Sequence, residues 1–199
     1  MSVSISRGNI KMGNISSVSL PAVTTCGKVP CAKECYGKKI ERLRPNVRNA
    51  YKNNLEILTK DPETYFREVE AAIMVSRFFR WHVSGDIPSK DYLRKMIEIA
   101  WRNKHCEMLC FTKRYDYVNE VIESGVEIPG NLHIIFSAWR GLTMQNPHSL
   151  PEAHVKYKDG FTTASADAHV CGGNCTECGV TDSGCWVLKK GEQVVFNEH

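Results

Sequence analysis

The chain has 199 residues, of which 42% are hydrophobic and 24% are charged, and its formal net charge is +4. This composition is typical of a globular protein with a core of its own, and the absence of any run of eighteen apolar residues excludes a membrane-spanning helix. The opening residues MSVSISRGNIKMGN lack the apolar region of a secretory signal, so we expect a reducing, cytoplasmic setting in which nine cysteines favour metal binding or catalysis over disulfides.

The N-terminal part is predicted to hold strand, loop and two helices. Residues 1–16 alternate weakly and predict an edge strand or a loosely held segment, and SSVSLPAVTTC predicts a strand that runs into a cysteine loop at residues 26–35. Apolar residues at helical spacing after Pro45 predict a helix over residues 44–59. Asp61, followed by a proline, is typical of an N-cap and begins a second predicted helix.

Strand and helix patterns then alternate through the middle of the chain. The predicted strands are FFRWHVSGD, EMLCFTKR and NLHIIFSAWRG, and the predicted helices between them are PSKDYLRKMIEIAWRN and YDYVNEVIESG. Strands joined by helices through short links indicate parallel pairing and right-handed crossovers. The predicted fold is therefore α/β, either a partial (β/α) barrel or an open parallel sheet flanked by helices, with a cysteine-rich C-terminal metal-binding tail.

The last third of the sequence predicts less regular structure. One further strand is expected around Phe161 to Ala164, and WVLKKGEQVVFNEH is typical of a small hairpin that turns at Lys190 and Gly191. The predicted organisation is an N-terminal segment, an α/β core and a cysteine-rich tail, with boundaries at residues 1–16, 17–165 and 166–199.

Polar residues follow the apolar part of several predicted strands. Ser84-Gly85-Asp86, Thr112-Lys113-Arg114 and Ser137-Ala138-Trp139-Arg140 stand at three successive strand ends. Sites in parallel α/β folds collect at the carboxyl ends of the strands. We therefore expect these ends to line a pocket in which Asp86, Lys113 and Arg140 are the candidate catalytic residues.

Four cysteines near the C-terminus form the strongest chemical signal. Cys171, Cys175, Cys178 and Cys185 have the spacing C-x3-C-x2-C-x6-C, and glycines between them allow the backbone to wrap tightly. Zinc sites usually consist of two C-x2-C pairs with a long spacer, whereas iron–sulfur clusters use three cysteines in a tight run and a fourth at variable distance. The spacing favours an iron–sulfur cluster, with zinc, or reduced or disulfide-bonded cysteines, as alternatives.

A second cysteine group lies near the N-terminus. Cys26, Cys31 and Cys35 have the spacing C-x4-C-x3-C, and Tyr36 follows directly. Three thiolates leave one position of a four-ligand site open to a cofactor or substrate, or they share a centre with the C-terminal group. The remaining alternative is that they are buried free thiols.

Other possible ligands are weaker. Cys110, inside an apolar run, is interpreted as a core residue, and so, less firmly, is Cys106. His82 is interpreted as a core histidine. His169 and His199 are isolated histidines with a lesser claim to metal binding.

Positive charge is concentrated between Cys26 and Lys60, where nine Lys or Arg residues face three Glu residues. Such an excess is typical either of a solvated helix surface or of a patch that binds phosphate or nucleic acid.

The motifs HVSGD and FTKR and the tail CxxC…CW resemble the phage- and plasmid-borne gene product 88 family over nearly the whole chain from about Ser19. The order of motifs also resembles a shortened radical S-adenosylmethionine barrel. That second resemblance implies a [4Fe–4S] cluster on Cys26, Cys31 and Cys35. It also implies S-adenosylmethionine binding near Tyr36, Ser84 and Gly85.

Three functional hypotheses follow from these patterns. The first is a cytoplasmic iron–sulfur protein, in its enzymatic form radical-SAM-like, acting on a small molecule or nucleic acid and not on a membrane. The second is a zinc- or cluster-stabilised nucleic-acid-binding module. The third is a purely structural cluster that holds the tail against the sheet.

Overall fold

A computed structural model describes residues 2–198 and places eight strands in one sheet. The strands are β1 Ile5–Ser6, β2 Ser16–Val18, β3 Phe78–Trp81, β4 Glu107–Thr112, β5 Leu132–Ser137, β6 Glu152–Lys156, β7 His169–Val170 and β8 Gln193–Asn197. The helices are α1 Tyr36–Leu43, α2 Pro45–Lys60, α3 Pro62–Met74, α4 Lys90–Arg102, α5 Tyr115–Glu123 and α6 Cys175–Val180. Short 3-10 turns occur at Pro30–Lys33 and Gly184–Trp186.

The sheet is mostly parallel, as the strand–helix alternation predicts. Its order is β1-β2-β3-β4-β5-β6-β8-β7, and only β1 pairs antiparallel to its neighbour. Strands β2 to β6 follow one another in chain order, so right-handed crossovers place their connecting helices on the same side of the sheet. The prediction of an α/β fold with a parallel sheet flanked by helices is confirmed.

The side of the sheet that carries the helices, called the helix face, holds the main core. Every second residue of the central strands points into it, including Phe79, Met108 and Phe136. The apolar stripes of α3, α4 and α5 pack against them, for example through Val69 and Leu93. This core explains why the helix periodicity was readable from the sequence.

The opposite side of the sheet, called the tail face, is covered by segments from both ends of the chain. Leu109, Ile135 and Val194 point into it from the strands. Met12 from the N-terminal segment and Trp186 from the tail pack on top of them. The central strands are apolar on both faces because both faces are covered.

Two predictions about the last third are wrong. No strand forms around Phe161 to Ala164; the strand lies at Glu152–Lys156 instead, where Ala153 and His154 are buried. Nor is there a hairpin at Lys190 and Gly191, because the chain turns there into β8, which pairs in parallel with β6 and β7. Both errors concern short strands whose stability comes from their neighbours rather than from their own residues.

The tail therefore contributes two strands to the sheet as well as the four cysteines. The described helices include none long and apolar enough to cross a membrane.

Candidate metal centre

The four tail cysteines lie around one small cavity on the tail face. Cys171 follows β7 and its amide donates to Val195 O of β8 (3.0 Å), while the amide of Cys175, at the start of α6, donates to Lys11 O (3.0 Å). Cys185 lies in the 3-10 turn at Gly184–Trp186. The cavity of about 30 Å³ is lined by all four cysteines together with Arg80, Leu109, Phe111, His169, Asn174, Gly184, Trp186, Val194 and Phe196. The structure thus brings the four predicted ligands together.

Arg80 is the charged neighbour of this cysteine group. It projects from β3 with its guanidinium carbon 4.8 Å from the centre of the Phe111 ring. Its positive charge opposes the rise that burial causes in the pKa of Cys175 and Cys185. Its Nε atom, however, is buried without a hydrogen-bond partner. A buried donor without an acceptor is costly, and Trp81 Nε1 in the same strand is a second such donor.

Burial raises the pKa of two of these thiols, those of Cys185 and Cys175. It raises the pKa of Cys185 to about 12, an effect to which the neighbouring Cys171 and Cys175 add and which Arg80 opposes. The pKa of Cys175 is also raised by burial, and again Arg80 opposes the shift. Only deprotonated thiols bind metals, so metal binding here would release protons.

The backbone of the tail is shaped around the sulfur atoms. Gly184 has a φ of +60°, and a Cβ atom built on it would lie 3.0 Å from Cys178 Sγ. The amide of Gly173 donates to Cys171 Sγ (3.4 Å). Backbone hydrogen bonds to cysteine sulfur are one of the ways in which proteins tune iron–sulfur clusters. His169 lines the same cavity, and His199 lies outside the described residues.

All nine cysteines are free thiols. Within residues 2–198, no group of three or more His, Cys, Asp or Glu side chains is placed so that it could hold a metal ion directly. The metal-binding role of the tail therefore stays a prediction.

The N-terminal cysteine group lies elsewhere, at the carboxyl ends of the strands. Cys31 is in the 3-10 turn at Pro30–Lys33 and Cys35 is the N-cap of α1. Burial, then Asp86, then the other two cysteines raise the pKa of Cys26 to about 11. Burial raises the pKa of Cys31 above its usual value, and the positive charge of Lys113 partly opposes this shift. The three thiols are thus close enough to influence one another, in surroundings different from those of the tail group.

Asp86 joins the ends of β3 and β4. Its buried carboxylate accepts hydrogen bonds from Thr112 Oγ1 (2.6 Å), the Lys113 amide (2.9 Å) and the Ile87 amide (2.7 Å). Burial raises its pKa, and these donors oppose the shift. Since the protein already supplies these partners, the arrangement suits a residue that positions the strand ends.

The other two candidate catalytic residues, Lys113 and Arg140, contact different parts of the protein from Asp86. Lys113 Nζ donates to Ser137 Oγ (2.8 Å) and lies 5.7 Å from the centre of the Trp139 ring. Arg140 donates twice to Asp159 (3.0 and 2.8 Å). Arg140 also lines a cavity of about 510 Å³, together with Pro30, Lys33, Glu34, Trp139, Tyr157, Lys158, Asp159 and Glu198. Asp86 is not among the residues that line this cavity.

The predicted cofactor-binding residues of the strand end mostly contact protein. Ser84 Oγ donates to Glu41 (3.4 Å). Gly85 has a φ of +81°, and a Cβ atom on it would lie 2.8 Å from Leu20 O and 2.7 Å from Thr25 Oγ1. Tyr36, the first residue of α1, is exposed.

Sequence reasoning missed Arg80 and Trp186. Arg80 was visible as a lone charge inside the apolar run FFRWH, which is the signal that could have identified it. Trp186 is 5% exposed, and its Nε1 donates to Cys175 O (3.0 Å), which ties the end of the cysteine segment to α6.

Comparison with protein-family models matches residues 4–172 to the family described as Gene product 88. The matched region contains the N-terminal cysteine group and Cys171, while Cys175, Cys178 and Cys185 lie beyond it. No curated protein and no solved structure matches the chain. The resemblance to radical S-adenosylmethionine enzymes gains no support from these comparisons.

Proposed function

The chain belongs to the gene product 88 family, and we propose that it is an iron–sulfur protein whose cluster is bound by the four tail cysteines. The observation that carries this proposal is the convergence of four free thiols on one cavity beside Arg80, whose Nε has no hydrogen-bond partner. Cysteine thiolates are the usual ligands of iron–sulfur clusters.

The charge at the site supports an anionic group. A cluster bound by four thiolates is negatively charged, and the walls of the cavity include the apolar side chains of Leu109, Trp186 and Phe196. A charge in such surroundings requires a partner. Arg80 supplies a positive charge beside this cavity, and a bound cluster would supply a negatively charged partner for it.

Zinc is the second candidate for the same four ligands. The cavity that the cysteines line is small, and a single ion needs less room among four thiolates than a cluster does. Four cysteines also form a common structural zinc site. Bound zinc would correspond to the role of a metal-stabilised module.

The N-terminal group is proposed as a second iron–sulfur site at the mouth formed by the strand ends. Cys26, Cys31 and Cys35 would hold the cluster, while Asp86 fixes the adjoining strand ends and Lys113 favours the thiolate of Cys31. When bound, a cluster with three cysteine ligands would supply one-electron chemistry to a small molecule such as S-adenosylmethionine. The spacing C-x4-C-x3-C differs from the C-x3-C-x2-C of radical S-adenosylmethionine enzymes.

The decisive experiment is anaerobic purification followed by iron, acid-labile sulfide and zinc analysis and visible absorption spectroscopy. We expect a brown protein with equal amounts of iron and sulfide. Cys175→Ser should remove the iron bound by the tail, whereas Cys106→Ala should retain it, because Cys106 is buried at the start of β4 and belongs to neither group. A colourless protein with stoichiometric zinc would overturn the iron–sulfur assignment in favour of the zinc candidate.

The same measurement separates the two cysteine groups. If both hold clusters, Cys31→Ser and Cys175→Ser each remove part of the iron, and the double variant removes all of it. If Cys31→Ser leaves the iron content unchanged, the strand-end group is not a cluster site and the proposal is limited to the tail.

A further inference from the structure

Helix α1 carries its charges asymmetrically. Gly37 faces inward, and a Cβ atom on it would lie 2.6 Å from Ser84 Oγ and 3.0 Å from Ala22 Cβ. Glu41 faces the same way, and its Oε1 accepts from the Ala22 amide (2.7 Å) and from Ser84 Oγ (3.4 Å). The acidic residue of α1 is therefore used to attach the helix to the strand ends, and the outward side of the helix is left with basic residues.

The outward basic residues of this region form a surface that we call the basic face. It consists of exposed side chains on α1 and on the segments next to it, namely Lys28, Lys38, Lys39, Arg42 and Arg44. Among the residues that the structure describes, none of these five forms an ion pair. The exposed acidic residue nearest in sequence is Glu34.

Basic residues on helix α4 provide the contrast. Lys90 pairs with Glu120 (2.6 Å), Arg94 with Asp91 (3.0 Å) and Lys95 with Glu98 (2.8 Å). The chain thus supplies counter-charges on α4 but not on the basic face. An exposed set of unpaired cations raises the local concentration of polyanions.

The cavity of about 510 Å³ at the strand ends lies beside the loop that leads into α1. Lys33, in the same turn as Cys31, is one of its lining residues, and Trp139 and Tyr157 contribute aromatic rings. The ring centres of Trp139 and Tyr157 are 5.7 Å apart and the rings are nearly perpendicular. Its volume is within the range of small-molecule pockets, so it is large enough for a nucleobase.

Two of the three carboxylates of this cavity accept hydrogen bonds from the protein itself. Asp159 accepts from Arg140 (2.8 Å) and from the Phe161 amide (3.0 Å). Glu198 accepts from the Lys158 amide (2.7 Å). The lining carries three cations, Lys33, Arg140 and Lys158, and three carboxylates, Glu34, Asp159 and Glu198, so its charges balance, as suits an uncharged base.

We propose that the basic face binds the phosphate backbone of a single-stranded nucleic acid and that the cavity takes up one of its bases against Trp139. Backbone-tracking cations combined with an aromatic stacking platform are the usual means of binding single strands. This inference names a substrate class for the strand-end site, and in that respect it rests on the proposed function.

The test is fluorescence anisotropy with labelled single-stranded DNA and RNA of about 20 nucleotides, in buffers from about 50 to 300 mM salt. Replacing Lys38, Lys39 and Arg42 by Gln should weaken binding at least about tenfold and reduce the log–log salt slope by about 2, since each lost phosphate contact reduces it by about 0.7. The matched control replaces Lys90, Arg94 and Lys95 by Gln, and we expect it to change the affinity less than about twofold.

A second variant tests the cavity. Trp139→Ala should weaken binding about tenfold, a typical effect of losing one base stacked on an aromatic ring, and should leave the salt slope unchanged. Circular dichroism of each variant checks that the fold is intact.

Several results would overturn the inference: no binding at low salt, binding insensitive to salt, or equal losses in the α1 and α4 variants. If oligonucleotides do not bind but vesicles containing phosphatidylserine do, and the α1 variant loses this binding, the basic face is assigned to a lipid surface instead.

Iron content is measured on every sample. Bound iron without nucleic-acid binding defeats this inference alone, and nucleic-acid binding without iron defeats the cluster proposal alone.

Discussion

His82 illustrates how a residue that resembles a ligand is used by the core. It is 3% exposed, its φ is +54°, and its Nε2 lies 3.0 Å from Tyr92 OH, which in turn lies 2.9 Å from Tyr65 OH. Its Nδ1 is buried without a partner. Burial lowers its pKa to about 3, so the imidazole is neutral at physiological pH, as expected of a core histidine.

This burial predicts a pH dependence of stability. The unfolded chain binds a proton at His82 below about pH 6.5, whereas the folded protein does so only near pH 3. The unfolded state thus binds more protons between these values, and the free energy of unfolding falls as the pH is lowered, by up to about 1.4 kcal/mol per pH unit. Urea denaturation at about pH 7 and pH 5 should show about 2 kcal/mol less loss in His82→Gln than in the unmodified protein.

The comparison isolates His82 because the other titrating groups are shared by both proteins. Any constant cost of Gln at this backbone conformation is present at both pH values and cancels. Equal losses in the two proteins would show that His82 is protonated in the folded state or exposed.

Gly85 offers a second prediction on the scale of one residue. Alanine there combines a positive φ with contacts of 2.8 Å to Leu20 O and 2.7 Å to Thr25 Oγ1. Gly125 also has a positive φ, of +84°, but has no atom within 4 Å of the position of a Cβ. We expect Gly125→Ala to cost about 1–2 kcal/mol from backbone strain alone, and Gly85→Ala to cost clearly more in the same urea titration. If the two substitutions lower the free energy of unfolding equally, the loop at Gly85 can shift enough to relieve the close contacts of the added methyl group.

Arg80 shows what residue patterns do not reveal. A charge inside an apolar strand was visible in the sequence, but its partners were not, because they come from a segment almost a hundred residues later in the chain. The four tail cysteines, by contrast, were predictable as a group from their spacing alone, because they are close together in the chain, and they line one cavity. Long-range partners leave no such local signature.

Helices and strands, too, were predictable where the signal is local and not where it depends on distant segments. Helices α2 to α5 and strands β3 to β5 were predictable because each has its own periodicity, and α3 also has an N-cap at Asp61 that accepts from the Thr64 amide (3.0 Å). Strand β6 was missed, and β8 was predicted as half of a hairpin although it pairs in parallel with β6 over five residues. Both strands are short, and their pairing is decided by contacts between distant segments rather than by local pattern.

The tail segment with Trp186 predicts how strongly the tail face is held. Trp186 packs against Phe78, with ring centres 5.0 Å apart, and against the apolar residues of β4 and β5. Its removal in Trp186→Ala should lower the free energy of unfolding by about 3–5 kcal/mol. Trp101, which is 41% exposed at the end of α4, is the matched control, and Trp101→Ala should cost less than about 1 kcal/mol. A small effect at Trp186 would show that the tail is only loosely attached.

The whole molecule is a sheet with two unequal sides. The helix face has a large core built from long helices, whereas the tail face has a small core closed by irregular segments that carry the cysteines. Stability is therefore distributed unevenly, and small cores of irregular segments open more readily than helices packed on central strands. A metal centre on the tail face would compensate for this weakness where the covering segments have little regular structure.

Removal of iron should therefore affect the two faces differently. After anaerobic treatment with an iron chelator, we expect amide hydrogen exchange to accelerate in residues 168–186, because the thiols lose the bonds that hold these loops to one another. Exchange in β4, β5 and α4 should change less than about twofold, since the helix face keeps its core. Cys175→Ser should exchange like the chelated protein and should not respond further to chelator. If acceleration extends equally over both faces, the tail is part of one cooperative unit with the helix face; if none occurs, the cysteines hold no metal that contributes to the stability of the tail.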